Sequence, residues 1–146
     1  MTIKGIIFDK DGTLFDFQQS WGTITFNFLI GLAGDNKQKL SDLAKVLKFD
    51  LTKKMFQTDS SFVSGTVSHT IDLISPLLPN MSREEIWALQ NYHYSKIVQI
   101  PVKNLHKTLF NLRARNYSLG IATNDLAEPT YDQLKKESIF NYFDKV

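Results

Sequence analysis

Two carboxylates, Asp9 and Asp11, stand two residues apart where an apolar run over residues 3–8 gives way to Gly12 and Thr13. Paired acids of this kind hold Mg²⁺ through hard oxygen donors. They can also divide nucleophilic attack and proton transfer between them. Gly12 lets the backbone turn sharply just after the acids, and Thr13 adds a hydroxyl. Acids that leave the carboxyl end of an apolar strand stand where open α/β sheets receive their ligands. A calcium loop fails on counting. An EF-hand needs Gly at its sixth position and Glu at its twelfth. With Asp9 first, those positions fall on Leu14 and Ser20; with Gly12 sixth, the loop starts at Ile7 and ends at Gln18.

The elements that must carry these residues follow from periodicity. Ile3, Ile6, Ile7 and Phe8 are strand formers, and Asp-Gly after them ends the run, so residues 3–8 read as a short buried strand. Residues 15–99 read as helical. Phe17, Trp21, Ile24 and Phe28 lie on one helix face, which Gly31 and Gly34 close. Leu40, Leu43 and Leu47 mark a second helix, whose other face carries Lys37, Lys39, Lys45 and Lys48 as solvated surface. Residues 59–65 are polar and read as a loop. Residues 66–78 form a third helix that Pro79 and Asn80 end, and Ser82 with Glu85 is a capping box that opens a fourth.

Beyond Pro101, the apolar stripe Val102, Leu105, Leu109 and Leu112 predicts another helix. Residues 117–123 read as a second strand, Asn124 and Asp125 as a loop, Pro129 as a first-turn residue of a helix, and residues 142–146 as the entry to a third strand. Outside the helical stretch this is a βαβα alternation, which points to a parallel sheet with helices packed on it. His69, His93 and His106 show no ligand spacing and read as surface or packing residues.

Composition narrows the class. The chain has 146 residues, 42% of them hydrophobic, which is enough to build a core and argues against disorder. A net charge of +2 is too small to point to nucleic acid or an anionic membrane as partner. With no cysteine there is no disulfide, thiolate nucleophile or Cys-ligated metal. No apolar run approaches a membrane span or a secretory signal, and the expectation is a cytoplasmic chain.

The segment Phe8-Asp9-Lys10-Asp11-Gly12-Thr13-Leu14-Phe15-Asp16 resembles the first motif of the haloacid dehalogenase superfamily. Ile121-Ala122-Thr123-Asn124-Asp125 resembles its second motif, a strand ending in Thr or Ser. The helical block between them is similar to the helical cap of phosphoglycolate-phosphatase-like members. The resemblance implies an α/β fold: a partial Rossmann-like parallel-sheet core from residues 1–14 and 100–146, with residues 15–99 as an inserted α-helical cap.

It also implies roles. Asp9 would attack phosphorus and form an aspartyl-phosphate, while Asp11 would protonate the leaving oxygen and then activate water. Mg²⁺ would be held by the Asp9 carboxylate and the Asp11 main-chain carbonyl. Gly12, Thr13, Thr123 and Asn124 would bind the phosphorylated substrate, the Thr123 hydroxyl and the Asn124 N–H meeting the transferring oxygens. Asp11 favours a phosphatase or phosphomutase, since dehalogenase relatives lack an acid there and P-type ATPases carry Thr. Lys10 is expected to point away from the reacting centre and receives no role.

The lysine after the family's third strand and the acids after its fourth have no counterpart before Val146. Lys135, Lys136 and Lys145 lie too early to match. The resemblance therefore implies an incomplete core of doubtful activity by itself, with residues 3–8 as an open sheet edge suited to self-association. The expected activity is Mg²⁺-dependent hydrolysis of a small phosphorylated metabolite resembling phosphoglycolate. The alternatives are a phosphomutase resembling β-phosphoglucomutase and a non-catalytic phosphate- or partner-binding module.

Overall fold

The computed structural model describes residues 3–63 and 65–146. Met1, Thr2 and Ser64, the last within the predicted 59–65 loop, lie outside the described residues. The chain divides into two compact units, Met1–Phe17 with Gln99–Val146, and Gln18–Val98.

The first unit is α/β. Strand β1 (Gly5–Phe8) pairs in parallel with the strand Ser118–Ile121, Phe8 standing opposite Ile121. A parallel pair needs a crossover connection, and the stretch before the second strand supplies a helix at Leu105–Ala114. Beyond the second strand come a helix at Ala127–Lys136 and a short 3₁₀ turn at Phe140–Tyr142. Residues 142–146 yield a single parallel bridge between Lys145 and Gly120 in place of a full strand.

Leu14, Phe15, Leu105, Leu109, Leu119, Ile121, Leu134 and Ile139 form the buried core of this unit, with Ile6 and Phe8 packed against it. Ile3 and Ile7 are 70% and 75% exposed, so β1 alternates between a covered and an open face. A fully buried strand needs helices on both faces of its sheet, and the apolar core of this unit gathers Ile6 and Phe8 but not Ile7.

The second unit is helical, carrying α1 (Phe17–Ala33) from Gln18 onward, α2 (Lys37–Val46), α3 (Val67–Ile74) and α4 (Arg83–Tyr94). Helix α1 runs through Gly31 and ends at Gly34, whose φ of +57° and N–H bond to the Ile30 carbonyl form a left-handed C-terminal cap. Ser82 and Glu85 form the predicted capping box of α4.

Two features depart from the sequence reading. Helix α3 gives way to a 3₁₀ turn at Ser75–Leu77, because Pro76, ahead of Pro79, has no N–H to continue the ladder. A two-residue hairpin, β2 (Phe49–Asp50) and β3 (Met55–Phe56), interrupts the helical stretch. Its turn is held by Asp50 Oδ1, which accepts bonds from the N–H groups of Thr52 and Lys53. Gln18 on α1 grips the hairpin through both its amide atoms, donating to the Phe56 carbonyl and accepting from the Phe56 N–H. In chain order the remaining elements of the first unit are α5 (Leu105–Ala114), β4 (Ser118–Ile121) and α6 (Ala127–Lys136). Among the described residues, no helix is long and apolar enough to cross a membrane.

Candidate functional site

The register of β1 against β4 decides where the two motif loops emerge. Phe8 opposite Ile121, with the Ala122 N–H bonded to the Phe8 carbonyl at 2.9 Å, makes both strands end at the same edge. Asp9 and Asp11 therefore leave the sheet beside Thr123, Asn124 and Asp125. This is the carboxyl end of a parallel pair, where α/β folds place ligands.

The loop after β1 winds tightly around one acceptor. The Lys10 carbonyl receives the N–H groups of Thr13, Leu14 and Phe15, and the Gly12 N–H returns to the Phe15 carbonyl at 2.8 Å. Gly12 takes φ of +89°, a conformation that side chains disfavour. Below the turn, Leu14 and Phe15 are fully buried anchors, and Leu14 and Asp16 are tied at their backbones to Val102 and Ile100. A rigid base thus presents an exposed Asp9, a half-buried Asp11, and an exposed Gly12 and Thr13.

Lys10 corrects the sequence reading. Its side chain is fully buried and turns into the site, where its ammonium stands 2.8 Å from Asp11 Oδ2 and 3.0 Å from Asp125 Oδ2. It also donates to Gln133 Oε1 at 2.8 Å. The Gln99 amide donates to Asp11 Oδ1 at 3.3 Å and to the same Gln133 oxygen at 3.1 Å. A cation taken fully out of water needs such partners, and two carboxylates and an amide supply them here. Gln133 lies 123 positions from Lys10 and Gln99 lies 88 from Asp11, so no local motif could announce these two partners. The available signal was the oddity of a lysine between two acids.

The second loop is organised by Thr123, whose Oγ1 accepts the Asp125 N–H at 3.2 Å and keeps its own proton to donate. Thr123 and Asp125, with Ile121, Ala122, Ala127, Thr130, Tyr131 and Val146, line a cavity of about 280 Å³. Asn124 is exposed. Asp9, Asp11, Gly12, Thr13 and Asn124 do not line this cavity, which abuts the second loop only.

The donor chemistry of the first loop suits a hard divalent cation in part. The Asp9 carboxylate and the Asp11 main-chain carbonyl are oxygen donors of the type magnesium takes. These two groups would hold the ion; among the described residues no group of three or more metal-ligating side chains gathers.

Solved structures share this fold. A predicted phosphoglycolate phosphatase from Haemophilus somnus 129PT superposes with a TM-score of 0.64 at 17% identity, over 98% of this chain and 61% of that one. The HAD-hydrolase YfnB of Bacillus subtilis, bound to magnesium, gives 0.62 at 17% identity, over 99% and 63%. The L-2-haloacid dehalogenase of Xanthobacter autotrophicus gives 0.53 at 15%, over 99% and 56%. The chain thus spans 56–63% of the length of these three structures. No curated protein matches the sequence. Residues 6–146 match the description haloacid dehalogenase-like hydrolase, and the chain belongs to that family.

Proposed function

We propose that the chain carries the nucleophile and proton-transfer half of a Mg²⁺-dependent phosphomonoester hydrolase acting on a small phosphorylated metabolite of the phosphoglycolate kind. The observation that carries this reading is the paired acids of one strand end beside the Thr123 loop of its parallel neighbour. An acid at Asp11 favours phosphoester chemistry over dehalogenation, because an alkoxide leaving group needs a proton and a halide does not.

Asp9, the exposed acid, attacks phosphorus in line, and the bond from phosphorus to the ester oxygen breaks. Asp11 gives that oxygen its proton. In the second half-reaction water attacks the phosphorus of the aspartyl-phosphate, Asp11 takes the water proton, and phosphate leaves with Asp9 restored. The Thr123 hydroxyl and the Asn124 N–H donate to the transferring oxygens, where placed donors act mostly by positioning and charge stabilisation. Magnesium, when bound, neutralises charge between the Asp9 carboxylate and the phosphoryl oxygens. The helical unit Gln18–Val98 takes the role of substrate-selecting cap.

Beryllium fluoride in the presence of Mg²⁺ mimics an acyl phosphate without needing turnover. A ¹⁹F resonance of bound fluoride that disappears in Asp9→Asn supports the proposal. A resonance that survives Asp9→Asn, or none in the wild type, overturns it.

The exposed Ile3 and Ile7 favour a second role for the same unit, pairing of two copies through the open face and edge of β1.

A further inference from the structure

Among the described residues of the first unit, Lys10 is the one lysine that is fully buried, and the proposed chemistry gives it no step. It cannot meet a substrate, because its side chain has no exposed surface. What it meets is the acid assigned to proton transfer. Its ammonium stands 2.8 Å from Asp11 Oδ2, while the amide of Gln99 donates to Asp11 Oδ1 at 3.3 Å. The two donors are themselves joined, since both bond to Gln133 Oε1 at 2.8 and 3.1 Å. Lys10 is further anchored by Asp125, on the loop after β4.

An aspartate has only two side-chain torsions, and a carboxylate gripped at both oxygens, by its neighbour Lys10 and by the distant Gln99, keeps neither torsion free. Each carboxylate oxygen has two lone-pair sites, so neither contact exhausts the oxygen that makes it. Proton transfer demands a donor within hydrogen-bond reach of the reacting oxygen, and a freely rotating acid spends most of its time elsewhere.

We infer that Lys10, together with Gln99 and Gln133, is a positioning residue that locks the Asp11 carboxylate in the orientation proton transfer requires. The inference rests on the assignment of Asp11 as the acid and base of the reaction. It reaches beyond that assignment by naming the groups that aim it.

Two measurements separate the inference from its premise. Three-bond couplings of the Asp11 side chain, read by NMR on labelled full chain, report its torsion without any turnover. The wild type shows a single rotamer, and Lys10→Met shows averaged couplings while the remaining amide spectrum stays folded. If Lys10→Met does not fold, Gln99→Leu removes the other grip and is expected to average the same couplings. Retention of one rotamer in both variants, or averaging already in the wild type, overturns the inference.

The second measurement compares leaving groups. Alkyl phosphates need the proton from Asp11 and 4-nitrophenyl phosphate scarcely does, so Lys10→Met lowers the alkyl-to-aryl ratio of kcat at least about tenfold. Lys10→Arg, which keeps the charge, recovers part of that ratio. Equal loss on both substrates marks a merely structural role and contradicts the inference. Full activity of Asp9→Asn, with the Asp11 rotamer locked as described, is the separate outcome that removes Asp9 as nucleophile and leaves the clamp standing.

Discussion

The ammonium of Lys10 lies 3.0 Å from the carboxylate of Asp125, tying the loop after β1 to the loop after β4 through a fully buried cation. Parallel strands fix where two loops begin but not how their tips face each other. This contact fixes the tips.

Removing one partner of a buried pair leaves the other uncompensated, so Lys10→Met is expected to destabilise the chain by about 3–5 kcal/mol. Asp125 Oδ2 is buried and receives no well-formed hydrogen bond from any other described residue, which makes its loss of Lys10 costly. The double variant Lys10→Met, Asp125→Leu recovers part of the loss. Urea unfolding of the four proteins in this cycle measures the coupling, and strictly additive losses contradict it.

Gly22 is required by close approach in the helical unit. A β-carbon there would collide with the backbone carbonyl of Lys54, which cannot move aside as a flexible side chain could. Gly22→Ala is therefore expected to cost about 1–3 kcal/mol despite its better helix propensity. Thermal unfolding checks this, and a stabilised variant contradicts the packing of the β2–β3 turn on α1.

The Asp144 carboxyl is held below its usual range, first by the Leu119 N–H that donates to it and then by the Arg113 guanidinium. A lowered folded-state value means that the charged form favours folding. Its contribution is present above the ordinary value of 3.8 and fades as pH falls below it. Asp144→Asn accordingly lowers Tm at neutral pH, and the gap to wild type narrows as pH drops through the acid range. A gap that stays constant with pH contradicts the assignment.

The open face of β1 offers Ile7, 75% exposed, to a partner. Sedimentation of the wild type is expected to show association that rises with concentration, and Ile7→Lys to weaken it. Because Ile7 is outside the core, its replacement changes stability by no more than about 0.5 kcal/mol. Monomeric wild type at high concentration contradicts self-association.

Local chemistry was legible and distant chemistry was not. Asp9, Asp11 and Gly12 sit within four consecutive residues; their types pointed to a paired-acid site and a tight turn, and the resemblance of the whole segment to a family motif pointed to phosphoester chemistry. The α/β alternation was legible for the same reason, since each strand and helix carries its own period. Lys10 was misread because its partners come from Gln99, Asp125 and Gln133, brought together only by folding. The β2–β3 hairpin escaped notice because two-residue strands leave too short a pattern, and its turn is fixed by the Asp50 side chain. Ile7 looked buried because a short apolar run does not reveal how many faces of its sheet are covered.

The central claim is that Asp9 becomes phosphorylated. Chain incubated with Mg²⁺ and an aryl phosphate, quenched with borohydride and digested, tests it by peptide mass spectrometry. The account predicts that Asp9 is reduced to homoserine only when Mg²⁺ and the ester are both present. Homoserine at another acid, or ester hydrolysis that leaves Asp9 unreduced, contradicts it.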